Sequence, residues 1–175
     1  HIDDCHDYNT PYLDIDQSKA SKFKAQLSPS TNTLCGISWM SLGNTEEAHL
    51  KRSLRIKDFT HILSPEHIMP IDLQYGNHKK DIADFLDQTG IVIHQVSNVD
   101  NLNDIDSLLS LIAACDFVVT TANSTTHFAG SIGVKTYQLT PRGAGDTWYW
   151  NQLNSNNTSI WYPSVHVLRQ SVAGD

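Results

Sequence analysis

The sequence predicts an α/β domain: a Rossmann-like three-layer α/β/α sandwich around a mostly parallel sheet. Two observations carry this. Short apolar runs rich in strand formers alternate along the chain with stretches of helical periodicity, the pattern of strands joined by crossover helices. One of these runs, Phe117-Val118-Val119, is apolar without alternation, as in a strand covered on both faces.

Taken in order, residues 16–27 suit a helix that follows Pro11, and Ser28-Pro29-Ser30-Thr31-Asn32 is turn chemistry. Residues 34–40 read as a strand and 57–63 as a short helix. Residues 68–75 read as a strand that Pro70 confines to an edge or a strand start. Residues 79–88 are amphipathic, with Ile82, Phe85 and Leu86 on one face and Gly90 as C-cap. A strand is expected at 91–96. Asp104 can N-cap a helix whose apolar positions are Ile105, Leu108, Leu109 and Ile112. Residues 117–121 form a strand, 125–132 a helix closed by Gly133, and 135–140 a further strand.

The chain has 175 residues, 39% hydrophobic and 18% charged, which suits one compact domain. The expected division is an acidic leader and linker helix at 1–33, the Rossmann-like domain at 34–170, and a tail at 171–175. The net charge of −7 argues against general nucleic-acid binding. Much of it sits in the leader, where Asp3, Asp4, Asp7, Asp14 and Asp16 occur without Lys or Arg. No apolar run reaches membrane-spanning length and no signal peptide is visible, so a cytoplasmic protein is expected. Cys5, Cys35 and Cys115 are scattered, as reduced thiols are. The first residue is His1, so either a tag was trimmed or the chain starts inside something longer.

In an open parallel sheet, ligands bind outside the carboxyl ends of the strands. The segment Asn123-Ser124-Thr125-Thr126-His127 takes a buried strand into a helix start rich in hydroxyls. Free N–H groups and hydroxyls there suit an anion, or else Asn123 or Ser124 simply caps the helix. Gly130 would let that helix pack closely on the sheet. Lys51-Arg52-Ser53-Leu54-Arg55-Ile56-Lys57 is a basic run that can reach the same crevice, either for phosphate oxygens or as a solvated helix start. Gln74-Tyr75-Gly76-Asn77 is a polar turn that admits close backbone approach. Trp148-Tyr149-Trp150 reads as an aromatic lid at the domain edge. Neither GxGxxG after the first strand, nor GxxxxGK[ST], nor GxSxG occurs, which excludes the usual dehydrogenase, P-loop and hydrolase signatures. Cys5-His6-Asp7 matches no standard metal spacing, so no metal is expected.

Read together, Cys35-Gly36-Ile37-Ser38-Trp39, Lys51-Arg52-Ser53-Leu54, Leu73-Gln74-Tyr75-Gly76, Asn123 through Gly133, and Trp161-Tyr162-Pro163-Ser164 with Arg169-Gln170 resemble a known family. It is the C-terminal domain of glycosyltransferases found behind tetratricopeptide repeats, related to the heptosyltransferases of glycosyltransferase family 9. The resemblance implies one half of a GT-B fold that binds a nucleoside-diphosphate sugar as donor substrate, with no cofactor beyond it. It implies donor-binding roles for Lys51, Arg52, Gln74, Tyr75, Gly76, Asn123, Ser124, Thr125 and His127. It implies inverting, metal-independent transfer and a partner domain, N-terminal, for the acceptor or the repeats. The chain alone is then expected to be inactive, and its catalytic base is not assigned. The rival readings are a sugar-nucleotide epimerase and a non-catalytic module that binds a nucleotide or a protein.

Overall fold

The computed structural model describes residues 11–27, 32–42, 52–141 and 147–172. In chain order the elements are α1 (Gln17–Leu27), β1 (Thr33–Ser38), a 3-10 turn (Ile56–Phe59) running into α2 (Thr60–Leu63), and β2 (Ile68–Asp72). Then come α3 (Lys79–Thr89), α4 (Ile105–Ala114), β3 (Phe117–Thr121), α5 (Ser124–Ser131), β4 (Thr136–Thr140), a 3-10 turn (Trp148–Asn151) and β5 (Val165–Arg169). The five strands form one sheet in the order β2-β1-β3-β4-β5, every pair parallel.

Local chemistry sets several element ends. The Asp104 carboxylate accepts from the Ser107 N–H at 3.0 Å and starts α4. Gly90 ends α3 in the left-handed region at φ 72°, which a side chain disfavours. Alternation along β1 sends Leu34 to one core and Cys35 and Ile37 to the other. The first core, with Phe23, Ile71, Leu108, Leu111, Val118 and Ala129, lies under α1, α4 and α5. The second, with Trp39, Phe59, Phe85 and Val119, lies under the first 3-10 turn, α2 and α3. Helix α1 is built into the domain: Phe23 is buried, and Lys24 reaches Asp116 at 2.6 Å. The other oxygen of that carboxylate accepts from the Leu34 N–H at 2.7 Å, tying α1 to β1.

Two expectations need correction. The strand expected at 91–96 shrinks to one parallel bridge between Ile71 and His94. The His94 N–H donates to the Pro70 carbonyl and its own carbonyl accepts from Asp72 N–H, both at 2.9 Å. This stub flanks β2, and counting it gives the six-position order 3-2-1-4-5-6 of dinucleotide-binding folds. Pro70, which has no N–H, sits in the outermost full strand, as expected. Conversely, β5 falls in a segment read only as a motif; Val165 and Val167 alternate inward and His166 and Leu168 outward. Beyond β5, Ser159 N–H donates to the Val165 carbonyl, Val167 N–H donates to the Asn157 carbonyl, and Thr158 bridges His166.

The two described cysteines, Cys35 and Cys115, are free and buried. Burial pushes both thiols up, that of Cys115 to about 12. Gly36 explains how tightly β1 is packed between the two cores. A Cβ there would lie 2.4 Å from Leu73 Cδ1 and 3.2 Å from Cys115 Sγ and Val118 Cγ2. Gly36→Ala is therefore expected to destabilise the domain by about 1–3 kcal/mol, since overpacking outweighs the gain in chain rigidity. Urea unfolding with unchanged slope checks this.

Candidate functional site

Chain direction about the sheet reverses between β1 and β3: β2 lies outward of β1 on one side, and β4 and β5 outward of β3 on the other. This switch point is where an open parallel sheet offers its crevice. Two amide side chains build the floor. Gln74 follows β2, is fully buried, and accepts through Oε1 from Ser38 Oγ at 3.1 Å, Trp39 N–H at 2.9 Å and Met40 N–H at 2.8 Å. Its Nε2 donates to the Tyr75 carbonyl at 2.9 Å. Asn123 follows β3 and donates through Nδ2 to Ser38 Oγ at 2.8 Å and to the Met40 carbonyl at 3.0 Å. Its Oδ1 accepts from Thr125 N–H at 3.0 Å, which caps α5. The peptide that leaves β1 is thus gripped from both neighbouring strands.

This geometry assigns the sequence-predicted residues different positions. Gln74 and Asn123 are buried, with their amides committed to the protein itself. Ser124 is exposed at the first turn of α5, while Thr125 and Thr126 are buried. Thr126 Oγ1 donates to the Thr121 carbonyl at 2.8 Å. The hydroxyls of Thr121 and Thr125 are buried and have no partner among the described residues. Tyr75 is half-buried, and its hydroxyl accepts from Leu42 N–H at 3.3 Å. Gly76 is exposed at φ 83°, a conformation that calls for glycine. Residues 74–76 line a cavity of about 700 Å³ together with Asp100, Asn101 and Asn103. Arg52 is half-buried beside Ser53, whose hydroxyl accepts from Ser41 N–H at 3.0 Å, so the basic run does border the loop after β1. Arg55 in that run pairs with Asp58 at 3.1 Å, and Lys51 lies outside the described residues.

His127 turns away from this group. Its Nδ1 lies 3.0 Å from the Tyr162 hydroxyl, and its ring packs among Tyr149, Trp150 and Tyr162. Burial lowers its pKa, which favours the neutral ring. Gly130 serves the same neighbour rather than the sheet: a Cβ there would lie 2.5–2.8 Å from Tyr162 Cγ, Cδ1 and Cβ. Of the expected lid, Trp150 is buried, and Trp148 is 68% exposed.

Sequence reasoning missed a buried histidine at the β2 end. His78 Nδ1 lies 2.9 Å from the Gly76 carbonyl, and Nε2 lies 2.8 Å from Asp72 Oδ2. The Gly76 carbonyl and the Asp72 carboxylate are both acceptors, a setting that favours the protonated ring. The same carboxylate accepts from Gln95 Nε2 at 2.8 Å and from Gln74 N–H at 2.9 Å. Burial opposes the charge, but the bond and the field of Asp72 win, and the His78 pKa is raised. The spacing Asp72…His78 across a glycine turn was the available signal.

Two outcomes follow from this geometry. A raised folded-state pKa means that the His78 contribution is complete below the unfolded value of about 6.5 and is lost as pH rises through the folded value. Stability should fall across that alkaline window, and His78→Gln should flatten the dependence in denaturation curves taken at several pH values. Gln74→Met leaves the Trp39 and Met40 N–H groups unpaired and should cost roughly 1–3 kcal/mol, measured by urea unfolding.

No family model matches the chain. It is 30% identical over 159 residues to Protein FlbA of Caulobacter vibrioides, a match covering 90% of this chain and 25% of that protein. The chain thus spans about a quarter of the length of the curated relative it matches. Among solved structures it is similar to a glycosyl transferase family 9 protein from Veillonella parvula, with a TM-score of 0.63 and 13% identity, over 94% of this chain and 44% of that one. It is equally similar to the E. coli ADP-heptose LPS heptosyltransferase II, with a TM-score of 0.63 and 16% identity, over 93% of this chain and 46% of that one. The chain has a glycosyltransferase-like α/β fold, and each of these enzymes is about twice the length of the part it shares with this chain.

Proposed function

We propose that this chain is the donor-binding half of an inverting, metal-independent glycosyltransferase and takes a nucleoside-diphosphate sugar. The supporting observation is the start of α5 at the switch point: Ser124 is exposed there, and the buried hydroxyls of Thr121 and Thr125 have no partner among the described residues. A diphosphate placed there would meet the exposed Ser124 and the positive end of the helix dipole, since Asn123 already takes the N–H groups of Thr125 and Thr126. Gln74 and Asn123 act as positioning residues, because they hold the loop from Trp39 to Met40 that forms the opposite wall. Tyr75 and Gly76 face the nucleoside side, and Lys51 and Arg52 supply cations to the phosphates. In this reading the leaving diphosphate is stabilised by fixed donors rather than by a metal. A partner domain supplies the acceptor and the base, and the 175-residue chain transfers no sugar alone.

Calorimetry with UDP, ADP and GDP sugars tests the reading; absence of binding to all of them at millimolar concentration would sink it. Ser124→Glu separates site from scaffold. An acidic residue in the first helical turn should stabilise α5 by about 0.3–1 kcal/mol, whereas it should weaken diphosphate binding at least about tenfold. A stabilised variant with unchanged nucleotide affinity would place the diphosphate elsewhere. Robust transfer by the isolated chain would refute the need for a partner domain.

A further inference from the structure

A second concavity, of about 350 Å³, lies along α5 and is lined by Tyr12, His127, Tyr149, Trp161 and Tyr162. Its walls come from three distant parts of the chain. The segment before α1 is fixed by Tyr12 and Leu13 N–H groups donating to the Ser131 carbonyl at 3.0 and 3.2 Å. Trp161 is held by its indole N–H, which donates to the Tyr149 carbonyl at 3.2 Å. Tyr162 lies on Gly130, where any side chain would collide with it. The Tyr12 and Tyr162 rings stack at 6.2 Å, and their hydroxyls are 3.2 Å apart. With Tyr12 donating, the Tyr162 hydroxyl gives its own proton to His127 Nδ1, which leaves the imidazole proton on Nε2.

The lining is therefore aromatic, carries no formal charge with His127 neutral, and is edged by hydroxyls. Tyr12 is 59% exposed and the neighbouring Trp148 is 68% exposed. Its volume falls in the range of small-molecule sites. Aromatic faces are negative at the centre of the ring, so they attract the weakly positive axial C–H bonds on one face of a neutral, hydroxylated, chair-shaped ring. Phenol and imidazole groups at the rim can pair with that ring's hydroxyls. A diphosphate would find no cation among these residues.

We infer that this aromatic pocket is a subsite for a neutral pyranose, separate from the crevice at the start of α5. It does not depend on the donor reading above. The probes are methyl α- and β-glucopyranoside, added to the full chain and followed by saturation-transfer NMR and by shifts of the aromatic ring protons. Saturation should pass to the C–H face of the sugar. Tyr12→Ala, which removes an exposed ring, should weaken binding at least about fivefold. Tyr149→Ala should do the same, with circular dichroism to verify folding. ADP and UDP binding, measured on the same samples, should be unaffected by either variant. Three results would overturn the inference: no transfer to either glycoside, transfer that survives both substitutions, or ring shifts produced by tetramethylammonium and not by the glycosides. Nucleotide binding without glycoside binding sinks this subsite alone, and glycoside binding without nucleotide binding sinks the donor reading alone.

Discussion

The grip of two amide side chains on the peptide leaving β1 is the constraint on which the crevice depends. A strand end on a parallel sheet leaves N–H and C=O groups with no ladder partner. Here Gln74 takes the N–H groups of Trp39 and Met40, and Asn123 donates to the Met40 carbonyl. Ser38 Oγ stands between them, giving to one amide and receiving from the other. Three adjacent strands are thereby locked to one another at their carboxyl ends. Asn123 extends the lock to α5 by capping it, so the direction of that helix and the course of the β1 loop are set by one side chain.

Behind this lock stands the Asp72–His78 pair. Asp72 fixes the Gln74 backbone through one oxygen and His78 through the other, while Asn101 Nδ2 donates to the carbonyls of Asp72 and Gln74. The turn that delivers Gln74 to its partners is thus itself held by the buried, hydrogen-bonded Asp72–His78 pair. Removing one partner of such a pair leaves the other charge stranded, and this costs more than the pair ever contributed net. The site therefore rests on a network of mutually hydrogen-bonded polar groups, whose members cannot be exchanged singly.

Much of this was legible in the sequence. Periodicity and caps at Asp104, Gly90 and Gly133 marked the elements because those signals are local. The strand at 91–96 failed because alternation says nothing of pairing length: only His94 meets β2. β5 was overlooked because its five residues follow the Trp161-Tyr162-Pro163 stretch, and its value as a strand comes from pairing with β4. At the site, residue choice was more legible than role. Gln74 and Asn123 lie at the ends of β2 and β3, and their polar atoms are spent on Ser38 and on backbone, a distinction that only coordinates reveal. For His127 the resemblance implies a place beside the donor, and its position one turn along α5 brings its ring to Tyr162. His78 was passed over because its partner Asp72 becomes significant only once both are buried.

The rims of the sheet carry one more consequence. At the β2 rim, Pro70 has no N–H to offer, and its carbonyl and the Asp72 N–H are both used by His94. At the opposite rim, the Val165 carbonyl accepts from the Ser159 N–H and the Val167 N–H donates to the Asn157 carbonyl. At both borders the chain itself therefore takes up some of the outward donors and acceptors that a second chain would need for strand addition.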